Sequence, residues 1–231
     1  MIMVMSAYQD YMKTGLLDLA EEHYETFKNW TGLPLVNRTS GLWSCPPCGG
    51  LSRVEHCTAN LTLFACNGPE IDWPSNLRDG FVYKPENTVV NAFSHRAFAS
   101  FEALARALGR EADANQAAAM ALRMRQAAQT MLLSNGSGNG IVGFIDGVGT
   151  SHQAWHSTVF GMLHGLGDGL DAQMQAALRG MVRERMQEVD GIVGGVYTGP
   201  WAITVLFDDV TDHGHSAVRF MASAGPHSWL H

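Results

Sequence analysis

The sequence predicts an all-α fold of about four helical hairpins, interrupted by one long Cys/Pro/Gly-rich stretch. Three observations carry this. Apolar residues recur at helical spacing over most of the chain. Val90, Phe93, Ala97, Phe101, Leu104 and Leu108 line one face, and Gly109 closes that helix. The periodic segments come in pairs: 3–15 with 16–30, 88–108 with 110–133, 151–165 with 170–188, and 199–208 with 212–223. Within each pair the first segment is the more apolar or aromatic, and the second carries more charge or alanine. That alternation suits two concentric layers, an inner apolar ring and an outer wetter one. The pairs share no period, so tandem repeats are disfavoured.

The elements follow in order. Met3, Ala7, Tyr8, Tyr11 and Met12 sit near helical spacing, and Gly15 ends the first helix. Leu17, Leu19, Ala20, Tyr24 and Phe27 continue the pattern to residue 30 as one second helix. Residues 31–87 hold six of the eight prolines and all four cysteines. This predicts irregular backbone with short strands at 61–65 and 80–83, and an insertion at 43–68. A connection of that length inside a compact domain is usually functional or inserted. Helical patterning returns at Asn87. A Gly-rich turn, Asn135 to Gly140, and a short run Ile141–Ile145 precede a helix capped by Ser151. Pro200 stands near the first turn of another helix. The whole reads as a single incomplete domain, residues 1–231.

Composition narrows the function classes. The chain is 46% hydrophobic and 16% charged, apolar enough for a sizeable core. Lys and Arg total 15 against 22 Asp and Glu, a net charge of −7. No basic stretch exists to neutralise phosphates, which disfavours nucleic acid and anionic membrane surfaces as partners. No apolar run reaches the length of a membrane span. The apolar start, Met1 to Met5, is too short for a signal peptide and lacks its basic flank. Four Asn-x-Ser/Thr sequons, at Asn29, Asn37, Asn60 and Asn135, hint at a secretory origin without deciding localisation.

Cys45, Cys48, Cys57 and Cys66 cluster in the insertion. Cys45-Pro46-Pro47-Cys48 has the spacing of a first zinc-ligand pair, but the second pair is too widely spaced for a standard ribbon. Structural zinc, two local disulfides and free thiols all remain open. His152 and His156 share a helical face, yet Gln153 stands where a metalloprotease helix needs Glu. No metal and no cofactor is therefore expected. Ser94 and Ser157 lack a nucleophile-elbow context, and the glycines at 134–140 lack the Lys of a phosphate loop.

Four segments resemble the six-hairpin glycosidase domain of α-L-rhamnosidases, in the family's order. They are Tyr8 to Gly15; Ile71-Asp72-Trp73-Pro74 with Arg78-Asp79-Gly80-Phe81 and Asn87 to Phe93; Ser151-His152-Gln153-Ala154-Trp155-His156-Ser157 running to Leu166; and Val196-Tyr197-Thr198-Gly199 leading through Asp208 to Ser228-Trp229. The stretch around Asp72 is the most specific. The resemblance implies a partial (α/α)6 toroid and, for the complete family, inverting hydrolysis of terminal α-L-rhamnosides. It also implies that the family's general acid lies upstream of residue 1 and its general base beyond His231. The chain is thus expected to be weakly active or inactive by itself.

Inverting glycosidases need two carboxyl groups about 6.5–9.5 Å apart, one acting as acid and the other activating water. If the chain acted alone, Glu70, Asp72, Asp79, Asp146 or Asp208 would have to supply them. By resemblance, Asp72, Trp73, Arg78, Asp79, His152, Trp155 and His156 are substrate-subsite residues for a rhamnose-containing saccharide or glycoside. An indole stacking on a sugar's C–H face beside a carboxylate that accepts from hydroxyls is suitable chemistry. Plainer roles are available: Asp72 as a turn residue before Pro74, Trp73 as core, Arg78-Asp79 as a structural ion pair, and His152, Trp155 and His156 as lining of the toroid's inner mouth or buried hydrogen-bond formers. The alternative to an enzyme is a non-catalytic carbohydrate-binding module or an oligomerising one. An open arc of four hairpins leaves apolar helix faces that would support self-association.

Overall fold

The computed structural model describes residues 1–31, 35–45, 71–72, 75–136, 141–191, 194–195, 198–209 and 212–223. Nine α-helices are present among them. They are α1 (Ile2–Thr14), α2 (Asp18–Glu22), α3 (Tyr24–Trp30), α4 (Thr88–Ala107), α5 (Glu111–Met131), α6 (Trp155–Leu163), α7 (Ala172–Glu188), α8 (Gly199–Phe207) and α9 (His215–Met221). The one described sheet is a two-stranded hairpin, β1 (Leu133–Asn135) antiparallel to β2 (Val142–Phe144). The chain is all-α, and its helices pair as the sequence pattern predicts.

Helix neighbours reproduce the two layers. α1 packs on α4, α4 on α6, and α6 on α8, so the first helices of successive hairpins form a continuous inner row. α2 and α3, α5, α7 and α9 each back their own partner from outside. Three buried clusters run along the row. One joins α1, α3, α4 and α5 around Phe27, Phe98, Phe101 and Met124. The next gathers Leu132, Phe144, Phe160 and Leu178 around the β-hairpin. The last holds Trp155, Val182, Leu206 and Phe220 between α6 and α9. Burial of this apolar surface at ~25 cal/mol per Å2 is the main force holding the layers together.

Local chemistry sets the boundaries. Gly15 ends α1 in the left-handed region (φ 72°) and donates its N–H to the Tyr11 carbonyl. Asn87 caps α4 by accepting from the Val90 N–H at 2.9 Å. Asn91 accepts from the Trp43 N–H and donates to the Trp43 carbonyl, fastening residues 42–45 to α4. Asp113 of α5 receives the Tyr24 hydroxyl at 2.9 Å and Lys28 Nζ at 2.8 Å, holding α3 against α5.

Several sequence expectations are corrected. Residues 16–30 are two short helices, because His23 bends the backbone (φ −109°, ψ 17°). Hydrogen bonds from His23 N–H to Leu19 and from Phe27 N–H to His23 carry across the bend. Residues 80–83 form no strand. The Val82 N–H donates to the Asp146 carboxylate instead of to a neighbouring strand. Ser151 does not cap the helix: residues 151–154 are not helical, Ala154 is extended, and α6 starts at Trp155. Cys45 is disulfide-bonded, which excludes zinc ligation and a free thiol for that residue. Its three cysteine candidates, the strand expected at 61–65 and the insertion from residue 46 on lie outside the described residues.

Candidate functional site

The N-terminal ends of α4, α6 and α8 meet in a knot of buried polar groups, and the segments flanking the predicted subsite residues converge there. Asp72 is fully buried. Its Oδ2 accepts from His156 Nε2 at 3.1 Å and from the Gly195 N–H at 2.6 Å. Its carbonyl takes Arg78 Nε at 2.7 Å, and the adjacent Ile71 carbonyl takes the Thr198 hydroxyl at 2.9 Å. Two residues of one loop are thereby tied to α6, to the 194–195 loop and to the start of α8. A carboxylate only accepts, so the contacting His156 nitrogen carries the proton. Among the described residues the other ring nitrogen, Nδ1, is buried without a partner, as is Trp155 Nε1.

A second carboxylate organises the α6 terminus. Asp146, also fully buried, accepts four times: from the Ala154 N–H (2.8 Å) and Ser157 Oγ (2.9 Å) on Oδ1, and from the Val82 N–H (2.8 Å) and His152 Nδ1 (2.6 Å) on Oδ2. Asp79 completes the end by accepting the Trp155 N–H at 3.0 Å. Asp146, eight residues upstream, and Asp79, 76 residues upstream, thus serve the N–H groups at the start of α6 in place of a Ser151 cap, where the helix dipole favours negative charge. Asp79 stands in the left-handed region (φ 51°), followed by Gly80 (φ 66°). That tight turn brings the backbone against His152. A side chain at Gly80 would meet His152 Nε2 at 3.3 Å.

The predicted site residues divide by exposure. Arg78 and Asp79 are half-buried and His152 is 40% exposed, so these three can meet a ligand. Asp72, Trp155 and His156 are fully buried and lie beneath them. The Trp155 and His156 rings pack together with centroids 4.4 Å apart. Trp73 lies outside the described residues. The plain Arg78–Asp79 ion pair is corrected. Arg78 binds the Asp72 carbonyl, and the cation beside Asp79 is Arg185, at 3.8 Å.

Of the carboxylates weighed as acid or base, Glu70 lies outside the described residues and Asp208 is an exposed residue ending α8. Asp72, Asp79 and Asp146 all hold backbone N–H groups. Sequence reasoning missed Arg185, Gly194, Gly195 and Thr198 as partners in this knot. The Gly194-Gly195 pair was the available signal. Gly194 (φ +104°) passes so close to Trp155 that a Cβ would lie 2.3 Å from Cζ2. Among the described residues no group of three or more His, Cys, Asp or Glu could hold a metal ion.

The model of the bacterial alpha-L-rhamnosidase 6 hairpin glycosidase domain matches residues 58–231, about three quarters of the chain. The chain belongs to that family. No curated protein matches it. The six-hairpin glycosidase family agrees with the paired helices and the inner row of α1, α4, α6 and α8. No helix among the described residues is long and apolar enough to cross a membrane.

Proposed function

We propose that this chain is the sugar-recognising part of a rhamnosidase-type domain, with little or no turnover as it stands. It would bind a terminal α-L-rhamnosyl group over the turn at 78–80. Arg78, Asp79 and His152 would address the sugar hydroxyls, and Trp73 is assigned to the same role by family resemblance alone. Asp72, Trp155 and His156 would act from below by fixing the loops. The observation that carries this is the Asp72–His156–Gly195–Thr198 knot, which brings three loops of a glycosidase-family domain to one end of the inner helix row. Weak turnover is supported by the structural duties of Asp72, Asp79 and Asp146. Their carboxylate oxygens accept backbone N–H groups, whereas a general acid must present its carboxyl to the leaving oxygen. Residues 1–231 would form a single unit.

Calorimetric titration with L-rhamnose and an aryl α-L-rhamnoside, beside an aryl-rhamnoside hydrolysis assay, tests it. Saturable heat with negligible hydrolysis is the expected result. No heat at millimolar sugar would remove the binding reading, and brisk hydrolysis would remove the inactive one.

A second reading, self-association, has its own observation. Exposed apolar residues gather on both end hairpins: Ile2, Met3 and Met12 on α1, and Trp201, Phe207, Val218 and Met221 on α8 and α9. Sedimentation over a wide concentration range decides it, a monomer throughout counting against.

A further inference from the structure

At the other end of α6 the helix lengths do not match. α4 has 20 residues and α6 only nine, lengths of about 30 Å and 13 Å. Beyond Leu163 the inner row turns away, and α4 and α5 are left facing the 164–168 turn across a gap. A cavity of about 250 Å3 occupies that gap, about one α6 length from Trp155. Arg96 and Glu102 of α4, Arg125 of α5, and His95, His164 and Asp168 line it.

The lining is charged and underused. Among the described residues neither Arg96 nor Arg125 has an ion pair. Arg96 only lies over the Tyr8 ring, at 5.7 Å. Glu102 is engaged by Arg106 at 3.2 Å. His95 and His164 are more than nine-tenths buried. His95 Nδ1 meets the His164 carbonyl at 2.6 Å, and His164 Nε2 has no partner among the described residues. Asp168, exposed at the mouth, also lacks an ion pair among the described residues.

We propose that this cavity binds a small hydroxylated carboxylate, the size of a monosaccharide acid. Two unpaired guanidiniums over one space are built to take a carboxylate in paired N–H···O bonds. The Asp168 carboxylate repels a second negative charge and accepts from a hydroxyl, which favours a singly charged polyol over a phosphate dianion. His164 Nε2 supplies a further polar contact at the back wall. The volume suits a six-carbon ring and far exceeds what one carboxyl group fills. Burial and the nearby Arg96 hold the His164 imidazole neutral, at a pKa of about 3, so it can donate or accept as the ligand requires. This site is separate from the proposed rhamnosyl subsite and stands whether or not that subsite binds sugar.

The test is titration of the chain with D-glucuronate, D-glucose and inorganic phosphate at fixed ionic strength, read by the ring resonances of His95 and His164. Glucuronate should shift both saturably, phosphate more weakly, and glucose not at all. Arg125→Gln and Arg96→Gln should each weaken glucuronate binding about tenfold, or about 1.4 kcal/mol. Both side chains are half-exposed, and native circular dichroism checks each fold. Arg125→Lys, which keeps the charge but not the fork, should fall between. Asp168→Asn should erase the preference for glucuronate over phosphate. The proposal is overturned by any of three results: no saturable shift, an equal response to glucose, or unaltered affinity in both folded arginine variants.

Discussion

The Asp72 carboxylate is joined to His156 Nε2 at 3.1 Å across 84 residues of sequence, with both side chains fully sealed from solvent. The same oxygen takes the Gly195 N–H, so among the described residues removing the carboxylate strands one buried and one partly buried donor. Each stranded donor costs about 1–3 kcal/mol. Asp72→Ala should therefore lose about 3 kcal/mol of stability, and Asp72→Asn, which keeps one acceptor, distinctly less. Urea unfolding measures both. Hydrogen exchange at the Gly195 amide should accelerate selectively in the alanine variant. A loss below about 1 kcal/mol would mean that the knot does not hold the loops.

Asp146 should prove the more sensitive position, because among the described residues four donors depend on it, against two at Asp72. In Asp146→Asn one amide oxygen replaces a pair of acceptors, and the new NH2 faces two donors. Either the Val82 and His152 side or the Ala154 and Ser157 side must open. The expected loss is about 3 kcal/mol or more. His152→Ala removes just one partially exposed donor and should cost less than 1 kcal/mol by the same denaturation measurement.

These two aspartates also mark how far the sequence could be read. Helical periodicity follows from one-dimensional spacing, so the hairpins and their inner and outer helices were legible. The capping of α6 was not. Ser151 has the right chemistry just upstream, yet the N–H groups of Ala154 and Trp155 are served by Asp146 and Asp79. No local pattern encodes a partner 76 residues away. The bend at His23 was hidden because both halves keep the same apolar stripe. The subsite segments were recognised by resemblance, but burial depends on what packs above them. Sequence alone therefore could not separate the exposed His152 from the sealed His156, four residues on.

Two glycines should respond in opposite senses to alanine. At Gly194 a Cβ would lie 2.3 Å from Trp155 Cζ2 and 2.9 Å from Asp72 Oδ2, on a backbone at φ +104°. Gly194→Ala combines strain with collision at the knot and should cost more than about 2 kcal/mol. Gly180 sits within α7, where a Cβ meets nothing within 4 Å. Gly180→Ala should stabilise by about 0.5–1 kcal/mol through helix propensity. Thermal unfolding of the pair checks both signs, and a neutral Gly194→Ala would show that the 194–195 loop can move aside.

Acid should weaken the fold through the histidines of the α4–α6 gap. Burial, with Arg96 and His95 close by, depresses the His164 pKa from 6.5 to about 3. Burial lowers that of His95 too, aided by Arg125 and Arg96 and opposed by its bond to the His164 carbonyl and by Asp168. The unfolded chain takes up a proton near pH 6.5, whereas folded His164 resists until about pH 3. Across that window the unfolded state binds more protons, so stability rises with pH and is fully present above 6.5. At about 1.4 kcal/mol per pH unit, His164 alone should remove about 3 kcal/mol between pH 7 and pH 4. Asp113 acts in the same direction at lower pH. Its bonds from Lys28 and Tyr24 hold its pKa below 3.8, and that contribution disappears as pH falls through the depressed value. The two are separable by urea midpoints measured from pH 7.5 to pH 4. His164→Gln should flatten the slope between pH 6.5 and 4, while Asp113→Asn should leave that slope intact. An unchanged slope in His164→Gln would show that the imidazole already reaches solvent protons in the folded chain.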